Sequence, residues 1–329
     1  MKNVLEWLEA TVAKYPDKPA FSDTESSITF RRVYDIARNT GAYLIEQLGV
    51  DRTPVAVFAG RKMVTPAYFL GVVYAGRPYA PIDASLPDKR IEKILENLCP
   101  RAIVADRESL EHVESIVDEL AKSEGFDRPQ IFIAEDISRF DQVAGADSNC
   151  KISESAGDAV TDSENDTDGG VVAGCAGKKD DSSLEKLATV RRQMSMTDPL
   201  YIIYTSGSTG NPKGVMTSHL SLMTYINAYC DVMHIEESDV LGNQSPLDYI
   251  AAIRDIYLPL KTGCSTAIIP KEYFMEPNAL FDYMNDKKVS SVGWSVSAFT
   301  ILTSLGAFEE VGLKSLRKIC FSGSVMPCR

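Results

Sequence analysis

Tyr201-Ile202-Ile203-Tyr204-Thr205-Ser206-Gly207-Ser208-Thr209-Gly210-Asn211-Pro212-Lys213-Gly214-Val215 is the stretch on which the reading of this chain turns. A β-branched and aromatic run with the composition of a buried strand passes straight into glycines, hydroxyls and one lysine. Glycine lets the backbone approach a ligand closely, and successive free N–H groups in such a turn form an anion-binding concavity. Thr205, Ser206, Ser208 and Thr209 add hydroxyl donors, and Lys213 adds a mobile positive charge. These are the parts needed to hold a polyphosphate.

Spacing excludes two common phosphate loops. A Walker A loop places lysine directly after its last glycine and a hydroxyl after the lysine, whereas Lys213 lies three residues beyond Gly210 and precedes Gly214. A dinucleotide fingerprint needs G-x-G-x-x-G, which Gly207 to Gly210 does not supply. The run Gly174 to Lys179 fails as well, with Val172 at the position of the first Walker glycine and Lys179 where the hydroxyl belongs.

The run instead resembles the signature of the AMP-forming adenylating superfamily, which includes acyl-CoA synthetases, luciferases and peptide-synthetase adenylation domains. Its style is closest to amino-acid or D-alanine-activating ligases. Ile28-Thr29-Phe30 resembles an early element of that family, Ala75-Gly76-Arg77-Pro78-Tyr79-Ala80-Pro81-Ile82-Asp83 resembles its "AGxAYVPID" element, and His219 falls where a histidine often follows the loop. The resemblance implies an α/β fold made of parallel-sheet βαβ subdomains, the large N-terminal domain of an adenylate-forming enzyme. It implies ATP and Mg²⁺, a carboxylic or amino acid substrate, and a carrier-protein or coenzyme A thiol as acceptor. By the same resemblance, Thr205 and Lys213 carry the chemistry, with Thr205 also placing Mg²⁺. Ser206, Gly207, Ser208, Thr209 and Gly210 hold phosphates. Gly323-Ser324-Val325-Met326-Pro327 resembles a short stretch that lies against adenosine, with Ser324 in place of the usual Glu or Ala. The family's "Y-G-P-T-E" element, ribose-binding aspartate and lysine-bearing C-terminal domain do not occur before Arg329. The expectation is therefore an incomplete adenylation domain, and the different-class alternative is a nucleotide-binding module without catalysis.

The acid is harder to read. Amino-acid-activating members pair the substrate ammonium with an aspartate, and anchoring on Asp255-Ile256-Tyr257 puts Ile250 at that position. Asp248 stands two residues early. It either does this work from a shifted loop or only caps the following helix, and an apolar Ile250 suits an acid without an α-amine. Trp294 is either a pocket wall or core.

Composition narrows the class. A net charge of −12 opposes nucleic acid and anionic membrane surfaces. No apolar run approaches the roughly 18 residues that span a bilayer. Glu6 and Glu9 interrupt the helically spaced Val4, Leu5, Leu8 and Val12, which argues for a surface helix rather than a signal peptide. Seven cysteines without a C-x-x-C pair and three scattered histidines suggest neither a disulfide framework nor a zinc site, and a reducing cytoplasm is expected.

From Pro54 onward strands alternate with helices: Val55–Phe58, Pro66–Tyr74, Asp88–Leu98 with Ile91, Ile94, Leu95 and Leu98 on one face, Ala102–Ala105 and Gln130–Ala134. That rhythm predicts βαβ units. Residues 141–183 break it with acidic, Gly- and Ser-rich text that offers no core, so a disordered acidic insertion is expected. The alternating Asp162, Glu164, Asp166 and Asp168 miss the EF-hand glycine and final glutamate. The expected parts are thus 1–140, the insertion 141–183, and 184–329. In the last part the loop strand precedes a helix from Ser218, a strand at Ser265–Ile269, a strand at Val289–Val292 and a strand at Lys318–Phe321.

Overall fold

A computed structural model describes residues 2–139, 181–206, 211–310 and 312–325. Among these residues twelve strands form two six-stranded sheets. The strands are β1 (Pro19–Ser22), β2 (Ser27–Thr29), β3 (Val55–Phe58), β4 (Tyr79–Ile82), β5 (Ala102–Ala105) and β6 (Gln130–Ile133). After the insertion come β7 (Pro199–Ser206), β8 (Pro212–Ser218), β9 (Val240–Asn243), β10 (Ser265–Ile268), β11 (Ser291–Ser295) and β12 (Lys318–Ser322). One sheet runs β12-β11-β9-β10-β1-β2 and the other β6-β5-β3-β4-β7-β8. Neighbours are parallel except at one edge of each sheet, where β1–β2 and β7–β8 are antiparallel. The α/β, parallel-rich architecture is the one expected.

Alternation along the central strands explains how the second sheet is covered on both faces. Val55 and Val57 of β3 point into a cluster shared with helices Leu5–Lys14, Phe30–Leu48, Thr65–Tyr74 and Ile250–Thr262. Ala56 and Phe58 point the other way, onto helices Asp88–Leu98 and Leu110–Leu120. The sheets meet through that shared cluster. At its centre the hydroxyls of Tyr79 (β4) and Tyr257 lie 3.1 Å apart, and Phe69 stacks on Tyr79 at 4.6 Å.

Helices Phe30–Leu48 and Thr65–Tyr74 approach unusually closely because glycine faces side chain at two places. A Cβ on Gly71 would stand 2.5 Å from Thr40 Cβ, and one on Gly41 would stand 2.6 Å from Tyr74 Cβ. Overfilling a tight contact costs roughly 1–3 kcal/mol, so Gly71→Ala is expected to lower the urea midpoint of unfolding. An unchanged midpoint would mean that the helices part freely.

Strands from either side of the insertion share both sheets, since β1 pairs with β10 and β4 with β7. Some element boundaries differ from expectation. Helix Asp181–Gln193 begins inside the expected insertion, while 141–180 lie outside the described residues. Leu187 and Val190 of that helix are buried, which draws it onto the body. The strand expected at Val289–Val292 is Ser291–Ser295, and Pro212–Ser218, where no strand is expected, forms β8. Cys99, Cys230, Cys264 and Cys320 are free thiols. No helix among the described residues is long and apolar enough to cross a membrane.

Candidate active site

The loop strand β7 and β8 form a hairpin whose register sets Tyr204 against Gly214, Thr205 against Lys213, and Ser206 against Pro212. Gly214 is required sterically, since a Cβ there would meet Ile202 Cγ2 at 2.9 Å and the Tyr204 ring at 3.1 Å. The Tyr204 hydroxyl donates to Asn97 Oδ1 at 2.8 Å, and Lys93 Nζ donates to Asn211 Oδ1 at 3.3 Å. Both bonds pin the hairpin to helix Asp88–Leu98. Thr205 and Lys213 are thus cross-strand neighbours, both exposed, with the Thr205 hydroxyl 3.4 Å from the Lys213 carbonyl. Lys213 makes no ion pair among the described residues. Ser206 is exposed beside them, while Gly207, Ser208, Thr209 and Gly210 lie outside the described residues.

Next to this hairpin a cleft of about 600 Å³ opens, with Tyr201 of β7 and Thr217 of β8 on one wall. Its other walls come from the carboxyl ends of parallel strands: Gln244 after β9, Trp294 and Ser295 of β11, and Ser322 and Gly323 at the end of β12. Open parallel sheets bind ligands at that end. Ile250, half exposed, also lines the cleft. Trp294 turns out to be wall and core together: it lines the cleft, donates Nε1–H to the Gly242 carbonyl at 2.9 Å, and packs on Phe274 and Phe299. Gly323 lies on the rim with φ +104°, in the glycine-favouring region. Ser324 faces instead a second hollow of about 420 Å³ with Met275, Ile301 and Leu305. Met326 and Pro327 lie outside the described residues.

Asp248 is not brought to the cleft. It lines a small recess with Arg61 and Asp83, where burial first and then the Asp83 carboxylate push its pKa above the usual range. Arg61 Nη2 donates to the carbonyls of Gln244 and Ile269, both at 2.9 Å, and so ties that recess to the β9 and β10 ends. His219 is likewise withdrawn. It is buried, its Nδ1 lies 3.4 Å from the Val4 amide, and burial lowers its pKa to about 4, so the ring is neutral. The residue that sequence reasoning missed is Arg254, a guanidinium buried on the cleft wall within the apolar helix Ile250–Thr262. A lone charge among aliphatic residues was the available signal.

The donor set at the hairpin, hydroxyls plus one lysine, suits phosphate oxygens. Mg²⁺ binds mainly through waters and substrate phosphates with one or two protein groups, and the exposed Thr205 hydroxyl fits that mode. No cluster of three or more His, Cys, Asp or Glu suited to a metal occurs among the described residues.

A family profile for AMP-binding enzymes matches residues 8–328. This chain belongs to the AMP-binding enzyme family. A D-alanine--D-alanyl carrier protein ligase of Bacillus cereus is 26% identical over 327 residues, 98% of this chain and 54% of that protein. The ligase of the same name from Bacillus licheniformis is 25% identical over 322 residues, 96% of this chain and 53% of its own length. The chain therefore spans about half the length of the curated relatives it matches. Among solved structures, the inhibitor-bound N-terminal domain of FACL13 from Mycobacterium tuberculosis superposes with TM-score 0.73 at 18% identity, covering 100% of this chain and 71% of that one. The nonribosomal peptide synthetase FmoA3 in its AMPPNP-bound form gives TM-score 0.72 at 19% identity, covering 99% of this chain and 29% of that one. These likenesses establish the AMP-binding fold, the N-terminal domain of adenylate-forming enzymes.

Proposed function

We propose that this AMP-binding enzyme activates a carboxylic acid as an acyl-adenylate for delivery to a thiol. The carboxylate oxygen attacks the α-phosphorus of ATP, and the bond to the β-phosphate oxygen breaks to release pyrophosphate. The carrying observation is the fixed opposition of Thr205 and Lys213 on a hairpin whose Tyr201 and Thr217 form a wall of the cleft. One element would then both hold the leaving group and border the acid. Phosphoryl chemistry of this kind depends on positioning and charge neutralisation rather than covalent help. Lys213 would neutralise the departing pyrophosphate, the hydroxyls of Thr205, Ser206, Ser208 and Thr209 would orient its oxygens, and Gly323 on the cleft rim would border the adenosine. Mg²⁺ would supply charge neutralisation across the phosphates, with Thr205 as its protein contact.

The acceptor is a thiol, and the carrier proteins named for the relatives favour a phosphopantetheine arm over coenzyme A. The relatives' names also favour an amino acid as substrate, although Asp248 lies away from the cleft. Radiolabelled pyrophosphate exchange on the whole protein, across amino acids and simple acids, tests this reading. Exchange with at least one acid is expected. ATP binding without exchange for any acid would leave a non-catalytic nucleotide-binding module.

A further inference from the structure

Among the described residues lining the cleft Arg254 is the only one with a charged side chain, and it is 6% exposed. A guanidinium is costly to bury unless every neighbour is arranged for it, and here the neighbours are. Nε donates to Asp255 Oδ1 at 2.8 Å and Nη2 to Asp255 Oδ2 at 3.2 Å, while Nη2 also reaches the Gly293 carbonyl at 2.6 Å. The Tyr229 ring lies 5.2 Å from Cζ, within range of a cation–π contact. Gly293 leaves the space, since a Cβ there would stand 2.3 Å from Cζ and 2.4 Å from Nη1. Burial would lower the guanidinium's pKa, but the Asp255 carboxylate outweighs it, so Arg254 stays charged.

Two further facts decide what this cation can do. Asp255 has its oxygens taken by Arg254 and by Asn243 Nδ2 at 3.1 Å, so it offers little to a ligand ammonium. Nη1 has no carboxylate or carbonyl partner among the described residues, and the guanidinium's remaining protein contact is a hydrogen bond with the neutral Tyr225 hydroxyl. We propose that Arg254 selects the acid, and that this acid is a dicarboxylic acid whose second carboxylate is received by Nη1 while the first is presented to ATP. The proposal deepens the adenylation reading and rests on it. A rigid, charged, planar donor matches a carboxylate better than any neutral group. An ammonium in the same place would be repelled and would find no free carboxylate, because Asp248 lies in the other recess.

The test is calorimetric titration of the wild-type protein, with Mg²⁺ and a non-hydrolysable ATP analogue present. The ligands are a matched five-carbon series: glutarate, its monoamide, pentanoate and 5-aminopentanoate. The series is repeated at four and six carbons. At the best-fitting length the dicarboxylate should bind about tenfold or more tighter than the plain acid, as one charge-assisted bond implies, and the ammonium-bearing acid should bind weakest. Arg254→Met alone would strand Asp255 in the interior. The paired change Arg254→Met with Asp255→Asn removes both charges and should bring the dicarboxylate and plain acid to equal affinity, while Arg254→Lys should keep a reduced preference. If the paired variant does not fold, the wild-type series decides alone. A plain or ammonium-bearing acid that binds wild type as tightly as the dicarboxylate overturns the proposal, and if that acid also supports pyrophosphate exchange, adenylation stands. No binding by any acid, with the ATP analogue bound, overturns both. A preference that survives in the folded paired variant removes Arg254 from selection.

Discussion

Lys213→Ala is expected to slow adenylation about ten- to a hundredfold in the whole protein, with little change in stability. The lysine lies exposed on β8 with no ion pair among the described residues, so the folded state has little to lose with it. The transition state has more to lose, since one charge-assisted contact to phosphate is worth roughly 1.5–3 kcal/mol. Stability should shift by only about 0.5 kcal/mol. Rate and melting temperature taken on the same variant separate the possibilities. An unchanged rate removes Lys213 from the chemistry, whereas a large loss of stability makes it structural.

Asp239→Ala should have the opposite profile, with a large loss of stability wherever the site remains folded. Its carboxylate is fully buried and accepts from the Glu236 amide at 2.9 Å, Ser290 Oγ at 2.7 Å, Arg317 Nη2 at 2.7 Å and Lys318 Nζ at 2.6 Å. These bonds gather the start of β9, the approach to β11 and the start of β12. Removing one member of a buried ion pair costs about 3–5 kcal/mol, and the half-exposed Arg317 recovers some of that through water, leaving about 2–4 kcal/mol. Thermal unfolding should therefore fall by roughly 5–10 °C. Burial alone would raise this carboxyl's pKa, but the Glu236 amide, Lys318 and Ser290 outweigh it and hold it below the usual range. A depressed folded pKa stabilises above the unfolded value near 3.9 and is lost as pH falls through the folded one. The gap between wild type and variant in urea should stay constant from about pH 7 to pH 5 and shrink below about pH 4. A gap that closed already at pH 6 would assign the effect to another group.

How far the sequence could be read depended on whether burial leaves a local pattern. Helix Asp88–Leu98 was legible to the residue because Ile91, Ile94, Leu95 and Leu98 repeat at helical spacing and all are buried. Strands β3 and β5, covered on both faces, were legible as short apolar runs. Edge strand β8 was not, because Val215 and Met216 are both exposed and no alternation marks the strand. Thr205 and Lys213 were singled out by residue type, but their opposition came only with the hairpin register. The surroundings of Asp248 and Arg254 were not legible, because most of their contacts are distant along the chain. Asp83 approaches Asp248 across 165 residues, and although Asp255 adjoins Arg254 in the text, the Gly293 carbonyl that completes its burial lies 39 residues on.

The pairing of β1 with β10 has a consequence for how the molecule is made. Ser265 donates to the Pro19 carbonyl across 246 residues of chain, so β1 leaves the ribosome long before its parallel neighbour exists. At about 5–20 residues per second that interval is roughly ten to fifty seconds. Strands β3 to β6 can pair with one another as soon as each is made, well within that interval, whereas Pro19–Ser22 has only the short β2 to cover one side. The sheet that contains β1 thus closes after the other one, and β1 has to be kept from other edges until synthesis has passed Thr266.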